Sequence, residues 1–539
     1  MIVPGSVNPL LLASAAAAGG IQVSRSLRFN SADSAYLNRT PASAGNRKTW
    51  TWAGWVKRSK LGTYQYLLSA NGGGSYSASI LFNDTDTLTF AIGNTSAAIT
   101  TAAVYRDVSA WYHLVFVLDT TQATQANGMK IYINGVQQTV TASGTYTQND
   151  EGWVNTANQH LFGYPGNYYL DGYLANIQFI DGQALTPASF AGTDATTGQW
   201  IPKAYSGSYG TNGFYLQFAD NSSNTASTLG KDYSGLGNNW TPNNFSVTAG
   251  AGNDSLVDSP TNYGTDTGAG GEVRGNYCTW NPLDKSGNAT FSNGNLDAQT
   301  GASGYGTTRG TIGVSSGKWY WEVTFNSTDA SNDCYIGVLD IAGSIADTVG
   351  GNAKGYAYWA FNGSKYNNAS FASYGASYAP GDVIGIALDL NAGTLAFYKN
   401  GSSQGTAYTG LAGTFCPAFS DSGGSNIGII GNFGQRPFAY PVSGFKALCT
   451  QNLTSTTITT SGSYTGNGVA DGPFVYLNGV PTAMTVGGNA VTFGTHADKL
   501  SNGFKIRTTS TTYNQNASTY SYSITTTGDP FLRARAQSN

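Results

Sequence analysis

With 539 residues the chain exceeds what one ordinary core supports, so several domains are expected. Charged residues make up only 10% and the net charge is −3, which leaves no basic footprint for nucleic acid. Aromatics at 13%, with 71 glycines and 34 tyrosines, fit β-structure with many tight turns and real cores rather than disorder.

The opening MIVPGSVNPLLLASAAAAGG carries an apolar run from Leu10 to Ala18. No Lys or Arg precedes it, and Pro4 and Pro9 break the chain ahead of it, unlike a secretory leader. The run is far below the ~20 residues of a membrane span, so no membrane insertion is expected. We read residues 1–20 as an apolar arm that anchors on another protein through Val7, Pro9, Leu10, Leu11 and Leu12. A frayed end is the competing reading.

From there no long stretch has helical periodicity. Short β-type runs recur between Gly, Asn and Asp turns, which predicts β-sandwiches. Residues 21–245 form the first expected unit. TWTWAGWVKR (49–58) and WYHLVFVLD (111–119) read as strands, and MKIYINGVQQTV (129–140) reads as a hairpin turning at Asn134-Gly135, where both positions favour positive φ. YYLDGYLANIQFIDGQALTPASFA (168–191) closes the unit as strand, turn and strand, then a short turn at Thr186-Pro187. Over roughly 26–191 these motifs resemble the laminin G-like and pentraxin-like branch of the concanavalin A-like lectin superfamily. The resemblance implies a two-sheet jelly roll that binds sugars or proteins. Some members bind calcium, which takes six to eight oxygen ligands. Asp33, Asp84, Asp86 and Asp171 are too scattered to predict such a site, and Asp171-Gly172 reads as a turn.

Residues 246–272 are rich in Gly, Asp and Thr, lack a strand pattern and are expected to be a linker. Residues 273–445 form the second expected unit. In GKWYWEVTF (317–325) the period of two puts Trp319 and Trp321 on one face and Tyr320 on the other, so the rings act as core wedges rather than one open platform. With CYIGVLD (334–340), GDVIGIALDLNAGTLAFYKNG (381–401) and NFGQRPF (432–438), the pattern over about 311–440 resembles the SPRY domain. That family's fold is a bent two-sheet sandwich, and its members act as interaction modules without catalysis. Residues 446–539 are expected to form a small β domain, with the basic tail FLRARAQSN exposed. LSNGFKI and NQNASTYSYSI within it are similar to the ends of bacteriophage virion proteins that carry both modules. The expected fold is therefore all-β: tandem jelly-roll sandwiches, concanavalin A-like then SPRY-like, plus a small C-terminal β region.

Catalytic chemistry is thin. The only glutamates are Glu151, Glu272 and Glu322, so the paired carboxyl groups of a jelly-roll glucanase are missing. His113, inside a strand, reads as a satisfied core residue. Cys278, Cys334, Cys416 and Cys449 form no CxxC pair and read as buried free thiols, so neither a zinc site nor any cofactor is expected. The leading expectation is a non-enzymatic virion appendage, a tail fibre or a head fibre or decoration. Its partners would be other virion proteins, further copies of itself (a trimer by fibre analogy) and a host-surface glycan or protein. Exposed rings would hold a sugar, with Trp153, Tyr164, Tyr168 and Tyr169 as candidates; packing of the sandwich rim or a subunit contact is the alternative for them. A structural cement or adaptor protein without a ligand is the second reading. A secreted carbohydrate-active enzyme is the third.

Overall fold

The computed structural model describes residues 20–539 except 73–75, 94, 165, 167, 195–197, 302–305, 328–332, 424–425, 454–460, 528–534 and 538. The expected anchoring residues Val7, Pro9, Leu10, Leu11 and Leu12 lie outside the described residues. The chain is nearly all β and divides into two compact units: Met1–Tyr263 together with Ala534–Asn539, and Gly264–Arg533.

The first unit is a sandwich of two eight-stranded sheets. In one, Thr49–Arg58 lies between Trp111–Asp119 and Gly172–Asp181. The other runs from Val140–Ser143 through Gln65–Asn71, His160–Phe162 and Tyr36–Arg39 to Thr241–Asn243. The alternation in TWTWAGWVKR decides what faces inward: Trp50, Trp52 and Val56 enter the core between the sheets. The opposite face is covered as well. Ala53, Val115, Val117 and Ile180 pack with Phe190, Leu185, Tyr205 and Tyr209 of the returning chain. Asn134 and Gly135 take φ of 49° and 86°, so the expected hairpin turn forms between Met129–Ile133 and Val136–Gln137.

The stretch expected as a linker needs correcting in its first half. Ser255–Leu256 pairs with Ser26–Phe29 as the edge of the first sheet. The Asp258 carboxylate accepts from Lys57 Nζ at 2.8 Å and from Trp111 Nε1 at 3.0 Å, and Asp254 accepts from Arg28. The low apolar content that suggested a linker instead supplies carboxylates to two buried cations. The exposed tail is also corrected. Ala536 is fully buried in the first unit's core.

The second unit holds two seven-stranded sheets and a smaller β body. Lys318–Phe325 lies between Gly428–Asn432 and Val383–Asp389. Trp319, Tyr320 and Trp321 are all buried. Tyr320 faces away from the two indoles, yet it is covered: it packs against Phe438 at 5.0 Å and donates to Tyr440 O at 2.7 Å. The next outward residue, Glu322, accepts from the N–H groups of Ala439 and Tyr440 at 2.8 and 2.7 Å. Residues 438–440 are thus a strap over the sheet. Gly385, directly opposite Glu322, leaves the space that the Tyr320 ring occupies; a Cβ there would stand 2.2 Å from its hydroxyl oxygen. The C-terminal strands form a four-stranded and a three-stranded sheet around Leu477, Val486, Phe504 and Ile506, as expected of a small β domain. That body is tied to the sandwich beside it: Tyr476 Oη accepts from Gly313 N, and Lys505 Nζ donates to Leu283 O, each within 2.8 Å.

Candidate recognition surfaces

Three of the four rings expected to hold a ligand come together. Tyr164 and Tyr169 stack at 4.8 Å, and Tyr164 also meets Tyr36 at 5.4 Å. Tyr168 meets Tyr64 at 5.4 Å and Tyr66 at 6.3 Å. The two groups are joined through the chain itself, because Gln65 Nε2 reaches Tyr169 O at 3.4 Å. Ser69 Oγ donates to Tyr164 O. Tyr64 and Tyr168 keep 36% and 50% of their surface exposed. Burial, with Tyr168 and Tyr64 nearby, raises the Tyr66 phenol pKa.

Trp153 takes no part in these ring contacts. It packs against the core, its backbone N–H donates to Ile92 O, and the Arg47 guanidinium lies 5.6 Å from its ring centroid. Its spacing from Tyr164 suggested one loop surface, but the strand His160–Phe162 intervenes and carries the tyrosines elsewhere. Tyr36, Tyr64 and Tyr66 belong to segments far from 164–169 in sequence, and only the fold brings them to these rings.

A second aromatic surface, in the second unit, has no counterpart among the sequence candidates. It sits at the sheet edge formed by Gly355–Trp359, Lys365–Asn367 and Ser370–Ala372. Tyr366 and Phe371 stack at 4.2 Å, Trp359 meets Phe371 at 4.6 Å and Phe361 at 5.1 Å, and Tyr335 stacks under Trp359 at 5.7 Å. Phe361 and Phe371 remain 61% and 49% exposed. Trp359 Nε1 donates to Asp333, which also receives Ser422 N, so the indole is fixed in place. Whether the rings of GYAYWAFNG (355–363) are covered depends on segments distant in sequence.

The remaining polar candidates serve the fold. Asp86 pairs with Arg58 and Arg106, and Asp171 accepts from Ser31 N and Oγ beside Lys60. His113 packs tilted against Trp55 at 4.9 Å and accepts from Trp200 Nε1; burial lowers its pKa to about 3. His160 is buried as well and lowered to about 4. Glu322 is raised by burial, and its oxygens are occupied by the strap. All four cysteines are buried and free. Among the described residues no group of three His, Cys, Asp or Glu side chains is placed to hold a metal ion.

Sandwich geometry, sheet order and these motifs agree with two family profiles: the concanavalin A-like lectin/glucanases superfamily over residues 30–191 and the SPRY domain over residues 318–436. The chain carries a concanavalin A-like domain followed by a SPRY domain. Similar curated proteins include the E3 ubiquitin-protein ligase RKP of Arabidopsis thaliana, 34% identical over 151 residues, covering 27% of this chain and 11% of that protein. Ran-binding protein 9 of Xenopus tropicalis is 28% identical over 177 residues, covering 31% of this chain and 32% of its own length. The chain therefore spans only a minor part of these relatives. Among solved structures, the SPRY domain of human HERC1 is 22% identical with a TM-score of 0.26, covering 28% of this chain and 96% of that one. The SPRY family match contains the buried Trp321 wedge and the exposed Trp359–Phe371 surface alike.

Proposed function

We propose that this chain is a non-enzymatic recognition protein of a virus particle. Its concanavalin A-like domain would take a host-surface glycan on the tyrosine cluster. The observation that carries the reading is the Tyr64–Tyr168 pair: two rings in contact, both substantially exposed, outside a core that needs neither. Aromatic faces stack on the apolar faces of sugar rings, and neighbouring amide and hydroxyl groups supply directional bonds. Low charge limits the desolvation cost of a neutral ligand on that surface. The virion setting draws its support from the domain pairing, the Gly/Thr/Asn-rich low-charge composition and the likeness of the closing strands to virion proteins. The relatives named above are eukaryotic proteins and lend that setting no support. Attachment to other virion proteins through Val7, Pro9, Leu10, Leu11 and Leu12, and assembly with further copies, complete the proposal. Multiple copies would raise the avidity of weak sites.

The second reading, a cement or adaptor protein without a ligand, draws on the Trp359–Phe371 surface. Exposed rings at a sheet edge also suit a protein contact. Glycan-array binding by the full chain, with the variant Tyr64→Ala/Tyr168→Ala beside it, separates the two readings. Specific binding lost in the variant supports the glycan site. No binding above background by either protein leaves the cement reading.

A further inference from the structure

In the second unit, the outward positions of Lys318–Phe325 run through Tyr320, Glu322 and Thr324, and the alternation continues to Asn326. The strap 438–440 covers Tyr320 and Glu322. Thr324 is half-buried, and Asn326 is exposed. The same sheet continues through Gly428–Asn432 to the hairpin of Thr290–Ser292 and Asp297–Gln299. That hairpin turns through Asn293, Gly294 and Asn295, at φ of 55°, 69° and 60°.

Register brings two amide side chains into one row across three strands. Gln299 pairs with Gly428, and Asn326 N donates to Gly428 O at 2.8 Å. The neighbouring row of Ala298, Ile429 and Phe325 is buried, so Gln299 and Asn326 project from the opposite face. The residue between them has to be glycine, because a Cβ there would stand 2.3 Å from Asn326 O. No side chain therefore divides the two amides. Together with Phe291, Ser292 and Asp297 they line a cleft of about 420 Å³. Small-molecule sites span about 300–1,000 Å³.

The lining has a definite chemistry. Ser292, Gln299 and Asn326 are exposed, and among the described residues their side chains are engaged in no hydrogen bond. Each hydroxyl and each amide can both donate and accept. The Asp297 carboxylate, which accepts from Asn293 Nδ2 at 3.2 Å, adds an acceptor. Half-buried Phe291 adds an apolar ring. Among the described residues no Lys or Arg lines the cleft.

We propose that this cleft is a second ligand site, in the second unit, and that it takes a neutral sugar. The hydroxyls of a sugar donate and accept side by side, which matches two amides, a hydroxyl and a carboxylate around one opening. An anionic ligand would meet the Asp297 carboxylate with no Lys or Arg in the lining to offset it. The inference is independent of the tyrosine cluster, with which it shares no residue.

The test uses the full chain carrying Tyr64→Ala/Tyr168→Ala, so that the tyrosine cluster does not mask the cleft. Maltose, cellobiose and lactose are titrated one at a time, with glucuronic acid as the anionic probe. Saturation transfer from protein to sugar protons, followed by NMR, gives an apparent affinity for each. Gln299→Ala/Asn326→Ala is then added to the same background. Both residues are exposed, so the urea unfolding midpoint should match that of the background protein. Phe361→Ala/Phe371→Ala on the same background reports any sugar held at the exposed ring edge instead. The proposal predicts binding of at least one disaccharide, weakened by about fivefold or more in Gln299→Ala/Asn326→Ala, as lost hydrogen bonds require, and unchanged in Phe361→Ala/Phe371→Ala. Glucuronic acid should bind more weakly than that disaccharide. Absence of transfer to all three disaccharides, or binding undiminished by Gln299→Ala/Asn326→Ala, refutes the site. Binding of glucuronic acid as tight as that of the disaccharide refutes its choice of neutral sugars.

Discussion

The two sandwiches solve one problem differently. Each has a central strand buried on both faces, so each must cover the outer side of a sheet. The concanavalin A-like unit does it with long returning chain and buried ion pairs: Lys57–Asp258 and Arg28–Asp254 sit under segments more than two hundred residues away in sequence. The SPRY unit uses the short strap 438–440, fixed on one carboxylate, Glu322. At its other sheet it leaves Phe361 and Phe371 uncovered. Ring content therefore does not mark a recognition surface. Trp321 and Trp359 occur in equally aromatic strands, and only the cover laid over each decides whether it packs or faces solvent.

The comparison breaks most visibly at the buried charges. Asp258→Ala leaves Lys57 buried without its carboxylate and is expected to destabilise the first unit by about 3–5 kcal/mol. Hydrogen exchange on the full chain should show peptides of residues 49–58 and 111–119 losing protection while those of 318–325 do not change. Equal loss in both units would contradict the division of labour described here. Removing Phe371, by contrast, should alter stability by no more than ~0.5 kcal/mol, since its ring is half exposed.

Acid should separate the units next. His113 and His160 are held at about 3 and about 4, below the ordinary value of ~6.5. Between those values and pH ~6.5 the unfolded chain binds protons that the folded one refuses, so the first unit loses stability as pH falls through that window. Asp254, raised by burial, opposes this only near the carboxylate range. Glu322 is also raised, so its effect runs the other way: its contribution to the second unit is greatest at low pH and declines as pH rises above the ordinary carboxylate value. Hydrogen exchange at pH 7 and pH 5 should show the first unit loosening alone. His113→Phe should reduce the slope if the packing by Trp55 is kept.

Smaller effects sharpen the picture of the strap and the exposed edge. Glu322→Ala removes the acceptor for two backbone N–H groups and should cost about 1–3 kcal/mol, seen in a urea unfolding midpoint. Ala369, at φ 57° in the turn between Lys365–Asn367 and Ser370–Ala372, occupies a conformation that suits glycine. Ala369→Gly should stabilise the hairpin by about 1 kcal/mol, and an unchanged melting temperature would argue against strain there.

Much of this was legible locally. The period of two in TWTWAGWVKR and KWYWEVTF foretold which indoles enter the cores, and Asn134-Gly135 foretold its turn, because both depend on neighbouring residues alone. Tyr164, Tyr168 and Tyr169 were legible as a ring-rich loop. What escaped reading was non-local. The Gly/Asp/Thr stretch looked like a linker because the cations that its carboxylates meet, Arg28 and Lys57, lie far upstream. The tail looked exposed because its partner, Trp111, lies far upstream in sequence. Trp153 was grouped with the tyrosines by sequence distance, and a single intervening strand separates them.

The most direct test measures glycan binding by three full-length proteins side by side: the parent, Tyr64→Ala/Tyr168→Ala, and Phe361→Ala/Phe371→Ala. The account predicts that the tyrosine variant loses at least about tenfold in affinity, some 1.4 kcal/mol, while the phenylalanine variant binds as the parent does. Undiminished binding by the tyrosine variant, or loss confined to the phenylalanine variant, would contradict it.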